Sequence, residues 1–529
     1  MTAFQRIGGG IRATLVVAAT AGAAACAPST DTAPLDVVEI DITRLHAALA
    51  DGRTTCRGVV QAHLDRIAAY DPRLGAITVV NPRALERADS LDQAAERGEP
   101  RGALHCVPML VKDNFDTHDL VTAGGSIALR ESVPPDDAFM VRRIREAGAV
   151  VVAKTNMAEW AFSPRQTVGS AFDTTRNAYD LDRTPAGSSG GTASGVAASF
   201  AVIGLGSDTG NSIRGPSSHL ALVGIRSTLG LTSRDGVVPL SFDRDVAGPM
   251  GRTVEDVARV FEVIVGVDPA DPYTELGRGR AESDYTALLE ADALEGARLG
   301  ILTALAPDAE TDTAVARLFD DAVEDLRRAG AVVVDVGFDV YAQLERPGMF
   351  CRRFRYDMAR YLETLGPSAP IRDVLEVLES GAYHPSVERS LRSYEGTSAD
   401  VHPSEWEPAC PDFAEHPERQ AYLADLVAAM DDADVDALIY PSWLSQPAPL
   451  DRANEEYRGD NSQRVAPATG TPAVSVPMGF AASGLPAGLQ LLGRPFDDGR
   501  LLRLAYSYER ATAHRRPPAG FPALADGGG

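Results

Sequence analysis

The sequence predicts an α/β protein in which helices cover both faces of a sheet that is mixed or largely parallel. Short apolar runs bounded by glycine or proline have the length of buried strands, as at 107–111, 149–153 and 201–206. Segments with helical periodicity, such as 45–67, alternate with these runs. Strands interleaved with helices are typical of an α/β architecture.

The first 25 residues are predicted to be an export signal that is not part of the fold. Arg6 and Arg12 precede an apolar stretch at 13–25, which is too short to span a bilayer comfortably. The small residues before Cys26 are similar to a bacterial lipoprotein cleavage site, so we expect Cys26 to be lipidated. Cleavage by an ordinary signal peptidase is the alternative, and either route predicts an exported protein, periplasmic or anchored to a membrane by lipid.

The rest of the chain is predicted to be a single domain behind a flexible tether. Residues 26–36 are small, polar and proline-containing, as is typical of a tether, and the domain spans 37–520. Within it, 340–460 is predicted to be a mostly helical insertion that covers the site. Strand-like segments resume at 436–442 and 471–479, so both ends of the chain are expected to complete the core.

Composition excludes several classes of partner. The formal net charge of -24 repels nucleic acid and anionic membrane surfaces, which leaves the lipid anchor as the one predicted membrane contact. No metal or cofactor is predicted, because the histidines are scattered and no CxxC spacing occurs. Four cysteines follow Cys26, and the sequence leaves open which of them pair or whether they stay free thiols: Cys56, Cys106, Cys351 and Cys410.

Lysine is rare in this sequence. Of 50 basic residues only two are lysines, Lys112 and Lys154. Arginine stays protonated in proteins, whereas a lysine buried among apolar groups can lose its proton and act as a base. Lys112 ends an apolar run and is therefore the better candidate for a base.

A glycine- and serine-rich loop at 186–195 precedes a run of small residues with helical character. Such loops bring backbone amides close to a ligand. The loop lacks the terminal G-K-[ST] of a phosphate-binding loop. It also fits the G-x-S-x-G pattern of α/β-hydrolases with Ser189 as nucleophile, but no later histidine has a supporting motif.

A third segment, GLGSDTGNSIRGP at 204–216, ends an apolar run in a glycine-bounded turn that contains Ser212. A serine on such a turn offers a nucleophile together with backbone N–H donors for a developing oxyanion.

These three features occur in one order, and here the sequence resembles the amidase-signature family. The stretch 185–216, with its G-S-S-G-G loop and S-I-R turn, is similar to the family signature. Further similar segments extend the resemblance from about residue 40 to 515, weakest between about 340 and 430: 107–117, 151–163, 248–258 and 484–502.

The resemblance implies a three-layer α/β/α fold with a large mixed, mostly parallel sheet and a helical lid. It further implies that Ser212 is the nucleophile, that Ser188 is a bridging serine preceded by a cis peptide, and that Lys112 is the terminal base. The oxyanion would be held by backbone N–H groups of Thr209, Gly210, Asn211 and Ser212.

Several residues near the signature receive other expectations. Asp208 and Arg214 are expected to hold the turn, and Lys154 is placed near the site by the resemblance without a catalytic step. Asn211 stands where many members of the family have glycine, so its side chain is expected to affect substrate specificity. Arg226 replaces a more usual lysine, which is compatible with a charge role but not with proton transfer.

The sequence therefore predicts a serine amidase that converts a carboxylic amide into an acid and ammonia or an amine, with a small-molecule or peptide amide as substrate. One alternative is the glutaminase subunit of a tRNA-dependent amidotransferase, which the export signal opposes. A second is a catalytically inactive binding protein on the same fold. A β-lactamase type fails because neither lysine completes S-x-x-K. The identity of the amide and the oligomeric state are left open.

Overall fold

The computed structural model describes residue 10 and residues 35–524. The predicted lipidation site Cys26 lies outside the described residues. So do the rest of the signal segment 1–25, apart from Gly10, and the tether up to residue 34.

One large sheet organises the described part of the chain. Its strands are β1 Ile77–Val80, β2 Pro108–Lys112, β3 Val150–Thr155, β4 Ile203–Asp208, β5 Val223–Arg226, β6 Val246–Gly251, β7 Arg298–Leu302, β8 Val332–Val336, β9 Ala437–Pro441, β10 Ala473–Phe480 and β11 Pro486–Leu492. Across residues 35–524 these eleven strands lie in the order β1-β3-β2-β4-β6-β5-β10-β11-β9-β7-β8.

The sheet is mixed, but it is not mostly parallel as expected. Parallel pairing is confined to two groups, β3-β2-β4 and β9-β7-β8. The strands between these groups, and the edge strand β1, pair antiparallel. The reason is visible at β10 and β11, because a short turn joins them as a hairpin, and a hairpin connects only antiparallel strands.

Helices cover both faces of the sheet, as predicted. They are α1 Ile42–Ala50, α2 Cys56–Leu74, α3 Ala84–Glu96, α4 Phe139–Glu146, α5 Gly190–Ala197, α6 Arg214–His219, α7 Val254–Ile264, α8 Thr313–Arg328, α9 Val340–Leu344, α10 Phe354–Thr364, α11 Val374–Ser380, α12 Glu388–Arg392, α13 Pro417–Asp432, α14 Ala466–Thr469 and α15 Asp498–Thr512. Several begin at a side-chain cap, for example α2 at Thr55 and α7 at Thr253, whose hydroxyls accept backbone N–H groups.

The core follows the alternation of side chains along each strand. In β2, Met109 and Val111 pack in the core on one face of the sheet, together with α4, α7, α8 and α15. Leu110 packs in the core on the other face, with α2, α3 and α5. Successive side chains of a strand point to opposite faces, which is how one strand supplies both layers.

The region predicted as a helical insertion at 340–460 is helical over its first part. Helices α10, α11 and α12 form a separate apolar cluster that packs against Leu129, Trp160 and Val238 of the main domain. The predicted C-terminal boundary near residue 460 is too late, because β9 pairs with β11 and β7 inside the sheet. The helical segment therefore ends at Asp432.

All four cysteines that follow Cys26 form disulfides. Cys56 pairs with Cys106, and Cys351 pairs with Cys410. The first bridge joins the start of α2 to the segment before β2, and the second joins the segment before α10 to the segment between α12 and α13. Of the three pairings that the sequence left open, the structure selects the one that follows chain order.

Among the described residues, no helix is both long and apolar enough to cross a membrane.

Candidate active site

The candidate site lies where three segments end at the same edge of the sheet: the end of β2, the loop before α5, and the turn between β4 and α6. Because β2 and β4 are parallel neighbours, their carboxyl ends lie side by side. The site therefore sits outside the carboxyl ends of strands, where α/β sheets commonly bind ligands.

Lys112 is the last residue of β2, and its side chain is fully buried. Its Nζ donates to Ser188 Oγ over 2.7 Å and to Ser207 Oγ over 2.8 Å. Burial lowers the pKa of Lys112 to about 7, although Asp208 and Asp245 oppose the shift. A large fraction of Lys112 is therefore neutral near neutral pH, as a base requires.

Ser188 lies in the glycine-rich loop directly before α5 and is fully buried. The Gly187–Ser188 peptide bond is cis, as the resemblance implies. The loop has no room for larger residues, since a Cβ on Gly187 would lie 2.4 Å from Ser163 O and 2.6 Å from Gln166 O. Ser188 Oγ is thereby held against Lys112.

Ser212 lies on the turn between β4 and α6, with 5% of its surface exposed. Its Oγ lies 3.5 Å from Asn211 Oδ1. In the hydrogen-bond network of residues 35–524, Lys112 is joined to Ser188, but no hydrogen bond joins Ser188 to Ser212. The structure thus forms one contact of the predicted relay and leaves the other open.

Backbone donors surround the same serine. Hydrogen bonds within the described chain leave the N–H groups of Thr209, Gly210, Asn211 and Ser212 without an acceptor. By contrast, the N–H of Ile213 donates to Asp208 Oδ2. Free N–H groups grouped in this way can hold a developing oxyanion.

A buried ion cluster fixes the turn. Asp208 Oδ2 accepts from Arg214 Nε over 3.1 Å, and Asp208 Oδ1 accepts from Arg226 Nη1 over 3.0 Å. Burial opposes ionisation of Asp208, but the two guanidiniums outweigh it and lower the pKa of Asp208 to about 2. Arg214 Nη2 also donates to Gly210 O over 2.7 Å. Asp208 and Arg214 thus hold the turn, and Arg226 acts as a fixed charge.

Two residues that lie at the site, Ser207 and Asn114, were not predicted from the sequence. Ser207 Oγ accepts from Lys112, and it also accepts from Asn114 Nδ2 over 2.9 Å. Both lie inside segments that the sequence had singled out, Asn114 two residues after Lys112 and Ser207 directly before Asp208. Their position within those two segments was the sequence feature that could have identified Asn114 and Ser207 as site residues. The structure shows that two hydroxyls hold Lys112 Nζ, those of Ser188 and Ser207.

Among the described residues, Lys154 makes no hydrogen bond to Ser188 or Ser212. Its Nζ donates to the backbone carbonyls of Phe115 and Val121 over 2.7 and 3.1 Å, and to Thr122 Oγ1 over 2.8 Å. These residues belong to the segment that follows β2. Lys154 therefore orders that segment.

The side chain of Asn211 connects the turn to a neighbouring segment. Asn211 Nδ2 donates to Pro164 O over 3.4 Å, and Pro164 O also accepts from Gly187 N over 2.9 Å. One carbonyl thus contacts both the turn of Ser212 and the loop of Ser188. The extra side chain at position 211 adds a hydrogen bond there.

Comparison with known proteins gives one consistent answer. A family model described as Amidase matches residues 58–502. A glutamyl-tRNA(Gln) amidotransferase subunit from Symbiobacterium thermophilum is 34% identical over 507 residues, covering 93% of this chain and 100% of that protein.

Solved structures show the same similarity. Native peptide amidase from Stenotrophomonas maltophilia is 35% identical, with a TM-score of 0.80, and the match covers 91% of this chain and 98% of that chain. The glutamyl-tRNA(Gln) amidotransferase subunit from Thermotoga maritima is 28% identical, with a TM-score of 0.66, and the match covers 88% and 94% of the two chains.

Proposed function

Because the chain belongs to the amidase-signature family and is an amide hydrolase, we propose that its reaction runs through Lys112, Ser188 and Ser212. The observation that carries this proposal is the 2.7 Å hydrogen bond between the buried Lys112 Nζ and Ser188 Oγ, at the foot of the Ser212 turn. Buried lysines are usually paired with a carboxylate, so a lysine whose nearest partners are hydroxyls is a candidate for proton transfer.

The proposed reaction begins with attack of Ser212 Oγ on the amide carbonyl carbon. The proton of Ser212 passes to Ser188 Oγ while the proton of Ser188 passes to neutral Lys112 Nζ. The carbonyl oxygen becomes an oxyanion, which the N–H groups of Thr209, Gly210, Asn211 and Ser212 stabilise. The C–N bond then breaks, and the relay returns the proton to the leaving nitrogen. Water hydrolyses the acyl-enzyme through the same groups and releases the acid.

The missing hydrogen bond between Ser188 and Ser212 is compatible with this sequence of steps. Catalytic hydrogen bonds are often long in the absence of substrate and shorten when substrate binds. Ser212 Oγ is now directed to Asn211 Oδ1, from which a rotation about its Cα–Cβ bond redirects it. Ser188 is fixed by the loop and by Lys112, so Ser212 is the residue that moves.

We further propose an amidated peptide as the substrate. The peptide amidase superposes better on this chain than the amidotransferase subunit of known structure does, at higher identity. The glutaminase function of an amidotransferase is the main competitor, since its subunits are also full-length relatives. The disulfides Cys56–Cys106 and Cys351–Cys410 count against it, because disulfides persist in oxidising compartments outside the cytoplasm, where tRNA is absent.

The same argument supports export and lipid attachment as a proposal. Two disulfides fit an exported protein, and the segment before Cys26 has the composition of a lipoprotein signal. Radiolabelled palmitate is expected to enter the full-length protein and the protein to fractionate with membranes. Cys26→Ala is expected to abolish both, whereas labelling that persists in this variant would contradict lipidation at Cys26.

The experiment that tests the mechanism is ammonia release from a panel of aliphatic, aryl and peptide amides by the mature protein. We expect turnover to vanish in Ser212→Ala and to fall steeply in Ser188→Ala. Ser189→Ala is the matched control, because Ser189 is an equally buried serine whose Oγ donates to the backbone oxygen of Ser207. A fluorophosphonate probe is expected to label the wild type and not Ser212→Ala. A wild type that neither turns over nor is labelled would favour the binding-protein alternative.

A further inference from the structure

A cavity lies next to the segment 162–166, and none of the relay residues or oxyanion donors lines it. It has a volume of about 350 Å³. One wall is the segment 162–166, and the opposite wall is formed by α12 and the turn before it, at 386–393. The size falls within the range of about 300–1,000 Å³ that is typical of ligand pockets.

The charge of this cavity is opposite to that of the protein. Arg165, Arg352 and Arg389 line it, and no aspartate or glutamate of residues 35–524 does. The remaining polar lining consists of neutral side chains, including four serines and Asn454 that can donate hydrogen bonds. The whole chain carries 74 acidic residues against 50 basic ones, so a cavity with three arginines and no acid is a local reversal of sign.

In the described part of the chain, the three guanidiniums have no acidic partner, since no carboxylate there lies within 4.0 Å of any of them. Arg165 donates to Asn454 Oδ1 over 2.9 Å and stacks on the ring of Tyr457 at 4.7 Å. Its buried Nε has no hydrogen-bond partner among the same residues. This Nε is enclosed by protein atoms and does not face the cavity, so Arg165 can reach a ligand only through its terminal Nη groups.

Neighbouring arginines in the same segments behave differently. Arg353, adjacent to Arg352, binds Asp357 and Asp412. Arg392, one turn after Arg389 on α12, binds Glu388. Arg352 and Arg389 thus differ from the adjacent Arg353 and from Arg392, whose charges are balanced within the protein. Both are exposed residues that line the cavity, so their charge is available to a ligand there.

The cavity is connected to the nucleophile through one short segment. Pro164, which lines the cavity, accepts hydrogen bonds from Gly187 N in the Ser188 loop and from Asn211 Nδ2 beside Ser212. Arg165 directly follows Pro164, so the segment that contacts both loops also carries one of the three arginines.

We propose that this cavity binds a carboxylate on the acyl part of the substrate, so that the enzyme prefers amidated peptides with an acidic side chain. This inference rests on the proposed function for the identity of the substrate. In a primary amide the leaving group is ammonia, so every other group of the substrate belongs to the acyl part. Guanidiniums recognise carboxylates through paired, charge-assisted hydrogen bonds, and the serines of the cavity add neutral donors.

The test is a set of N-acetylated tripeptide amides that contain either glutamate or glutamine at each position in turn. Binding is measured by calorimetry to Ser212→Ala, which does not depend on turnover, and kcat/KM is measured with the wild type. At one position or more we expect glutamate to bind about tenfold more tightly than glutamine, as one charge-assisted hydrogen bond provides. The preference is expected to fall at about 1 M salt, where charges are screened beyond about 3 Å.

Arginine variants locate the site. In the Ser212→Ala background, Arg389→Gln and the combined Arg165→Gln, Arg352→Gln and Arg389→Gln are expected to reduce binding of the glutamate peptides to the level of glutamine. Binding of the glutamine peptides is expected to stay unchanged. Arg392→Gln is the matched control, because it removes the same charge from the same helix outside the cavity.

The outcomes separate this inference from the proposed function. Equal affinity for glutamate and glutamine peptides at every position overturns the inference, even if the wild type hydrolyses them all. A preference that survives in the combined arginine variant also overturns it. A preference for glutamate that the arginine variants abolish supports the inference. If the wild type binds these peptides with that preference but hydrolyses none of them, the proposed function is wrong.

Discussion

The two lysines of the chain lie on neighbouring strands, Lys112 at the end of β2 and Lys154 in β3, and both side chains are fully buried. In the parallel register Lys112 pairs with Thr155, while Lys154 pairs with Val111. Adjacent positions of a strand point to opposite faces, so the two side chains leave the sheet on opposite sides. Lys112 enters the site with Ser188, and Lys154 enters the core that Val111 shares.

Burial acts on both lysines in the same direction. It lowers the pKa of Lys112 to about 7, against Asp208 and Asp245, and that of Lys154 to about 8, against Asp113 and Asp116. The difference lies in the partners, because Lys112 contacts side-chain hydroxyls next to a candidate nucleophile, whereas Lys154 contacts backbone carbonyls and threonines of the segment after β2. A buried lysine with a lowered pKa is therefore not sufficient evidence of a base. The contacts of the lysine decide whether it can act as a base.

The largest expected effect separates the two lysines by chemistry. Lys112→Arg keeps a positive charge but cannot release its proton, so the relay has no base. We expect kcat/KM to fall by about 10³-fold or more, within the range for loss of a general base and acid. The measurement is steady-state hydrolysis by protein whose circular dichroism matches that of the wild type. Activity close to wild type in folded Lys112→Arg would show that Lys112 acts only as a charge.

Lys154→Met is expected to have the complementary effect. The substitution leaves the carbonyls of Phe115 and Val121 buried without their donor, which lowers the free energy of unfolding by about 3 kcal/mol. Urea unfolding measures this loss, and kcat/KM per folded molecule is expected to stay near that of the wild type. A stable but inactive Lys154→Met would place Lys154 in the mechanism and end the contrast between the two residues.

The pH dependence of activity tests which lysine is the base. Its folded pKa of about 7 means that Lys112 gains a proton as the pH falls below 7, and the protonated form cannot accept one from Ser188. We expect kcat/KM to fall by about tenfold per pH unit on this acid limb. The midpoint is expected to be the same in Lys154→Met. A midpoint that moves with that variant would assign the limb to Lys154 instead.

The three residues of the proposed relay were singled out from the sequence. Lys112, Ser188 and Ser212 each lie at the end of a short apolar run or beside a glycine-rich turn, and such patterns are local in the chain. The resemblance to a known family added their roles and the cis bond before Ser188. Helices on both faces of a mixed sheet followed from the alternation of strand and helix patterns.

What the sequence did not predict depends on contacts between distant segments. The contact of Ser207 with Lys112 depends on β4 lying beside β2, and the pairing of Cys351 with Cys410 depends on the segments before α10 and before α13 lying together. The direction of each strand pair depends on connections that hydrophobic patterns do not encode, so the mostly parallel sheet was wrong. The end of the helical segment was placed too late, although the strand predicted at 436–442 is present as β9.

The smallest expected effects compare one hydroxyl partner of each lysine. Ser207→Ala removes an acceptor that stabilises the protonated Lys112, so the acid limb should shift to lower pH while kcat/KM falls by about fivefold as Lys112 loses its fixed position. Thr122→Val removes the corresponding partner of Lys154 and is expected to lower the free energy of unfolding by about 1 kcal/mol without moving the acid limb. If both variants shift the pH profile equally, the two lysines are coupled through the sheet between them. The hydroxyl partners of Lys112 would then not be what distinguishes Lys112 from Lys154. If only Ser207→Ala does so, the hydroxyl contacts at the end of β2 are what set the proton affinity of the base.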